Sequence, residues 1–211
     1  MDRTAATFFT EEEKQKISAA TQQVEMRTSG EVAVMVVDRS DTYRDADIMG
    51  GLVFGSLAAF ALTEIFFNSL IWYFIPLIII FFILFAWLTG TIPALKTLFI
   101  RAGRKNEAVA RQALRAFHEK GLDRTRENTG VLFFISILEH KVWVLADKGI
   151  YSKIQQETLN RYASTVTQGI KEGRACDALC QSITEAGQVL AEHFPIRHDD
   201  TNELSNEVIT G

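Results

Sequence analysis

Residues 48–92 carry a single formally charged side chain, Glu64, over 45 positions otherwise dominated by Leu, Ile, Phe, Ala and Gly. A helix needs about 20 apolar residues to cross a hydrocarbon core of roughly 30 Å, so this stretch suffices for two crossings and a tight turn. The expected turn is Asn68-Ser69, giving one transmembrane helix over 48–67 and a second over 70–92. Trp72 and Tyr73 then fall at one interface and Trp87 toward the other, where amphipathic rings concentrate. Glu64 lies about one turn from Asn68, close enough for its carboxylate to reach the interface. Gly51 and Gly55 make a GxxxG face suited to packing within the hairpin, and Pro76 is placed to kink the second helix.

The other 166 residues suit one soluble domain with a real core, discontinuous over 1–47 and 93–196, with 197–211 expected as a disordered acidic tail. A net charge of -4 and a pI near 5.6 argue against a nucleic-acid binder, and no nucleic-acid motif occurs. The opening MDRTAATFFTEEEKQ lacks the charged-then-apolar pattern of a secretory signal, so the N-terminus is expected in the cytoplasm. Cys176 and Cys180 share one helix face; a thiol pair or half a metal site competes with two small buried residues, and the second reading is the expectation because no CxxC or nearby His completes a zinc set.

Along the chain, Thr10 and Glu13 form a capping box that starts a helix over 11–27. Residues 31–37, EVAVMVV, form a continuous apolar run, the pattern of a strand buried on both faces. After the hairpin, Pro93 opens a long helix with one apolar stripe, Leu98, Ala102, Val109, Ala113 and Phe117, closed by Gly121. A second apolar strand is expected over 131–137 and a third over 142–146; so short a connection permits only an antiparallel pair. Helices over 151–167 and 176–193 finish the domain.

The first two strands can share a sheet only if both hairpin flanks lie in one compartment, and two crossings satisfy this. Arg39 and Arg44 precede the hairpin, Lys96, Arg101, Arg104 and Lys105 follow it, and the turn has no basic residue. The positive-inside rule then places the soluble domain and both termini in the cytoplasm, with these six basic groups at the membrane surface. The first strand runs into the hairpin, so its C-terminal end is expected toward the bilayer. Ser29, Gly30, Glu31, Thr125, Asn128, Gly130, Asp147, Lys148 and Gly149 then gather at the opposite end, where two carboxylates meet.

These residues belong to pieces that resemble the TPM domain, often labelled a TPM phosphatase domain. The pieces are FFTEEEKQKI, SGEVAVMVV at 29–37, Thr125 leading into GVLFFIS at 130–136, EHKVWVLADKGI at 139–150, and a closing pattern through Gly173, Asp177, Gly187 and Pro195. The resemblance implies a three-layer α/β/α sandwich with a small mixed sheet, here interrupted by a transmembrane hairpin. It also implies two activities attributed to some members, weak phosphatase activity and divalent-metal binding, with calcium or magnesium as the cation. Calcium asks for six to eight oxygens; Glu31 and Asp147 supply a beginning that Ser29, Thr125, Asn128 and backbone carbonyls would complete. The alternative is that Glu31 and Asp147 only cap neighbouring amides. The sequence has no CxxxxxR loop or DxDxT-like aspartate to act as a phosphoryl nucleophile. The expectation is therefore a membrane-anchored binding or scaffold module, with the lipid bilayer and a protein as partners, serving envelope maintenance. A metal-dependent phosphatase using the same acidic cleft is the alternative.

Overall fold

The computed structural model describes residues 4–66, 71–196 and 205–211. They form two compact units, one from 1–40 and 107–211 and the other from 41–106. In chain order the elements are α1 (Ala5–Phe8), α2 (Glu11–Glu25), β1 (Glu31–Val37), α3 (Arg44–Phe66), α4 (Ile71–Thr91), α5 (Pro93–Leu98) and α6 (Ala102–Glu119). They continue with β2 (Gly130–Ser136), β3 (Lys141–Ala146), α7 (Lys148–Tyr151), α8 (Gln156–Lys171), α9 (Ala175–His193) and β4 (Ile209–Thr210).

The first unit is built on a mixed sheet of order β3-β2-β1-β4. β1 and β2 are parallel in full register from Glu31↔Gly130 to Val37↔Ser136, β3 is antiparallel to β2, and β4 is parallel to β1. Alternation along the strands divides the core. Val32, Val34, Val36, Val131, Phe133 and Ile135 pack with Ile17 and Val24 of α2, Leu159, Tyr162 and Val166 of α8, and Leu179 and Ile183 of α9. Ala33, Met35, Val37, Leu132 and Phe134 pack instead with Val109, Ala113 and Phe117 of α6 and with Leu122. Helices on both faces explain why β1 and β2 read as unbroken apolar runs, since neither face of either strand meets water.

The capping box is present: Glu13 N–H donates to Thr10 Oγ1 at 3.2 Å, and Thr10 N–H to Glu13 Oε2 at 2.8 Å. Cys176 is buried and Cys180 half-buried, both as free thiols, and burial together with the neighbouring Cys180 pushes the Cys176 thiol up to about 12. Three expectations change. The long helix after Pro93 is broken into α5 and α6, where Phe99 N–H bonds Lys96 O and Ile100 N–H bonds Thr97 O, three-residue bonds that tighten and end the turn. The helix expected at 151 starts at Gln156, because Asp147 caps the separate short α7 first. The tail expected to be disordered contributes β4 within its described part, 205–211, because Val208 and Ile209 find apolar partners beside β1.

In the second unit, α3 and α4 are each long and apolar enough to cross a membrane. The expected turn at Asn68-Ser69 lies outside the described residues. Gly51 and Gly55 face α4: a Cβ at Gly51 would lie 2.8 Å from Ala86 Cβ and Phe82 O, and one at Gly55 2.8 Å from Phe82 N. The GxxxG face is therefore spent inside the hairpin, letting the two backbones approach. α4 presents Trp72 (79 % exposed), Ile80, Ile83 and Trp87 outward. Replacing Gly55 with Val should cost about 1–3 kcal/mol of hairpin stability by overpacking, measured by unfolding in detergent micelles. Gly103→Ala, with open space around it, should leave stability unreduced.

Candidate functional site

The N-terminal ends of β1 and β2 and the C-terminal end of β3 meet at one edge of the sheet. Glu31 pairs with Gly130, and Asp147 N–H donates to Gly130 O at 2.9 Å, so β2 stands between the two carboxylate-bearing positions. Adjacent strands are about 4.8 Å apart, which puts the two backbones roughly twice that distance from one another. Loop 121–129 passes over the gap. A Cβ on Gly130 would strike the Leu122 carbonyl, and one on Gly149 would lie 2.5 Å from Asn128 O. These glycines are where backbone crosses backbone at van der Waals range.

The polar residues of this edge hold the loop in place. Ser29 Oγ donates to Glu127 Oε2 at 2.8 Å, Thr129 Oγ1 donates to Ser29 O at 2.9 Å, and Glu31 N–H donates to Thr129 O at 3.2 Å. Thr125 Oγ1 accepts from Thr129 N–H at 3.0 Å, and Asn128 takes the left-handed conformation (φ 56°) that its short side chain tolerates. Asp147 caps α7, accepting from Lys148 N–H at 2.6 Å through Oδ1, while its buried Oδ2 has no hydrogen-bond partner among the described residues. Beside this edge, Glu127, His193, Phe194, Pro195 and Ile196 line a hollow of about 400 Å³.

The expected set Glu31, Asp147, Ser29, Thr125 and Asn128 thus shares one end of the sheet, with the hydroxyls of Ser29 and Thr125 engaged by the loop. Among the described residues no three His, Cys, Asp or Glu side chains gather to hold a metal ion. What sequence reasoning missed is Glu25, whose Oε1 accepts from Val32 N–H at 3.2 Å and whose carboxyl hydrogen-bonds that of Glu31. A signal existed: an acid in the last turn of a helix opposes the helix dipole and needs another reason to be there. Burial pushes the Glu25 carboxyl up to about 7; the Val32 N–H opposes this, and the facing Glu31 adds to it. Near neutrality the Glu25 carboxyl is therefore partly protonated where it faces Glu31.

The basic groups expected at the membrane surface divide in two. Arg39, Arg44 and Arg101 are exposed and Lys105 is half-buried. Lys96, by contrast, is 4 % exposed, donating to Thr42 O at 2.9 Å and pairing with Asp47 at 3.1 Å. Arg104 pairs with Asp45 and Asp41 and lies over the Tyr43 ring, 5.6 Å from its centroid. Acids within the same unit therefore hold both cations.

A raised folded-state pKa fixes the sign of one pH effect. Below the ordinary 4.5 of a Glu both folded and unfolded states hold the proton; between that value and about 7 only the folded state does. Stability should accordingly fall as pH rises through this window and level off above it. Glu25→Gln keeps the acceptor for Val32 N–H and should flatten the fall, with a higher melting temperature than the parent at pH 8 and little difference at pH 4.5.

Comparison with known proteins agrees with this geometry. The family model described as TPM domain matches residues 92–189. The solved NMR structure of BA42 protein from the psychrophilic bacterium Bizionia argentinensis is similar over 97 % of this chain and 96 % of that one, with a TM-score of 0.61 and 21 % identity, a likeness of fold. No curated protein matches the chain. The match over 92–189 begins where α4 has just ended and contains β2, β3, α8 and most of α9, so it is over this part of the chain that the sequence is similar to the TPM domain family.

Proposed function

We propose that this protein is a membrane-anchored TPM domain that serves envelope maintenance by holding a partner protein at the bilayer. The observation that carries the anchoring is the outward face of α4, a continuous run of exposed Trp, Ile and Leu with no charged residue in the helix. Such a face on a water-soluble molecule would be an aggregation liability; in lipid it is the solvated surface. The docking end is the sheet edge bearing Ser29, Glu31, Glu127 and Asp147. Its polar groups are committed to holding loop 121–129 and α7, which gives a preformed surface beside the hollow at Phe194 and Ile196 rather than a poised nucleophile. Exposed Arg39, Arg44 and Arg101 supply cations for anionic headgroups, each worth about 1 kcal/mol near the surface.

With both flanks cytoplasmic, an Asn68→Cys variant in a Cys176→Ala, Cys180→Ala background should react with an impermeant maleimide added outside intact cells. A cysteine placed at exposed Lys148 should react only after permeabilisation. The reverse pattern would place the domain on the other side.

A second reading, divalent-metal binding with phosphatase activity, is favoured by the Glu25–Glu31 contact, where a cation would displace the proton that Glu25 retains. The pair supplies two carboxylates, short of a calcium shell but suited to magnesium, which keeps several waters and takes one or two carboxylates. Calorimetric titration with magnesium at pH 6 in two buffers of different ionisation enthalpy should show proton release that Glu25→Gln abolishes. Hydrolysis of p-nitrophenyl phosphate lost in Glu31→Gln would extend this reading to catalysis. Heat without proton release would remove the pair from it.

A further inference from the structure

β1 is buried along its whole length, and its outer edge is covered by a segment nearly the full chain away. Residues 206–211 run beside it in parallel, yet the ladder is short: Met35 pairs with Ile209 and Val36 with Thr210. Gly211 N–H donates to Val36 O at 3.0 Å, and Asp38 N–H donates to Gly211 O at 3.4 Å. The side chains supply the selectivity. Asn206 hydrogen-bonds Glu25, Val208 joins the apolar cluster of α2, α8 and α9, and Ile209 joins the cluster of α6. At 211 a Cβ would lie 3.0 Å from Met35 Cε, so glycine fits where a larger residue would push. A strand edge of composition EVAVMVV without this cover is an open template for another chain.

We propose that the outer edge of β1 is a strand-acceptor site whose ligand is the 206–211 segment of a second copy, exchanged reciprocally for the resident one to form a two-fold dimer. The fit of Asn206, Val208, Ile209 and Gly211 belongs to this sequence, and every copy carries both the acceptor edge and the donor strand. A reciprocal exchange is self-complementary and closes on itself. The nine steps from Ile196 to Ser205 set an upper reach of roughly 32 Å for the connection. Confinement to one bilayer raises the local concentration of copies, which favours the exchange. The site is independent of the partner and metal readings above.

The test uses the full chain in its native membrane, in a Cys176→Ala, Cys180→Ala background. One tagged copy carries Met35→Cys, a differently tagged copy carries Ile209→Cys, and a short bis-maleimide is applied. A hetero-tagged dimer several-fold above that from Lys141→Cys, on the opposite edge strand, paired with Ile209→Cys is the expected result. Val37→Cys with Gly211→Cys serves as a second pair should either substitution disturb folding. Cross-linking within one chain of the Met35→Cys/Ile209→Cys double variant but never between singly substituted copies would overturn the exchange. Absence of any cross-link in the double variants of both pairs would overturn it as well, by removing the segment from the edge.

Discussion

The parallel pairing of β1 with β2 is the constraint on which the rest of this structure depends. Seven residue pairs in one register require that both strands enter the sheet from the same end. The chain must therefore leave β1 at Val37 and travel back to Gly130 before the second strand can begin. In most α/β proteins a single helix makes that return. Here the return includes α3 and α4, two apolar helices that go out and come back, so the sheet and a paired crossing of the membrane are compatible where a single crossing is not. α6 then completes the connection and lays Val109, Ala113 and Phe117 on the sheet.

Burial on both faces leaves the polar residues of this domain at strand ends, and each end is built differently. At the start of β1, two carboxyls face one another and burial raises the pKa of Glu25, while serine and threonine hydroxyls stitch loop 121–129 to the strand. At its finish, Ser40 and Ser136 hydroxyls lie 2.8 Å apart, with the buried Glu139 accepting from Ser136 Oγ and from Ser40 N–H. Asp38 gathers three elements there: its carboxylate accepts from Ala5 N–H, its carbonyl from Leu138 N–H, and its own N–H reaches Gly211 O. Buried polar groups of this kind are costly unless paired, which makes the ends less tolerant of change than exposed loops.

How legible this was in the sequence depended on the range of the interactions involved. The hairpin, β1, β2, the antiparallel β3 and the capping box are written in composition and short-range spacing, and the structure has them within a few residues. The placement of Glu31 and Asp147 at one end of the sheet followed from strand direction; β2 lies between them, and their partners were not readable. Glu25 sits on a helix and meets Glu31 only because the turn after α2 folds it back, and Lys96 meets Asp47 across the length of the hairpin. β4 was unreadable for the same reason: its few described residues in an acidic segment carry no strand pattern, and it exists only because β1 offers an edge. The break between α5 and α6 lay inside an apolar stripe that looked continuous, since the stripe records one face and not the bonds that end a turn.

The order in which the sheet is assembled along the chain has a kinetic consequence. β1 appears early in synthesis, its partner β2 roughly a hundred residues later, and β4 only after α9. Two of its neighbours are thus non-local contacts whose loop-closure entropy must be met before either rewards it, the topology associated with slow folding. During that interval β1 has neither edge covered, while α3 and α4, its immediate successors in the chain, are each long and apolar enough to cross a membrane. The order of synthesis thus leaves both edges of β1 waiting on distant segments, β2 on one side and β4 on the other.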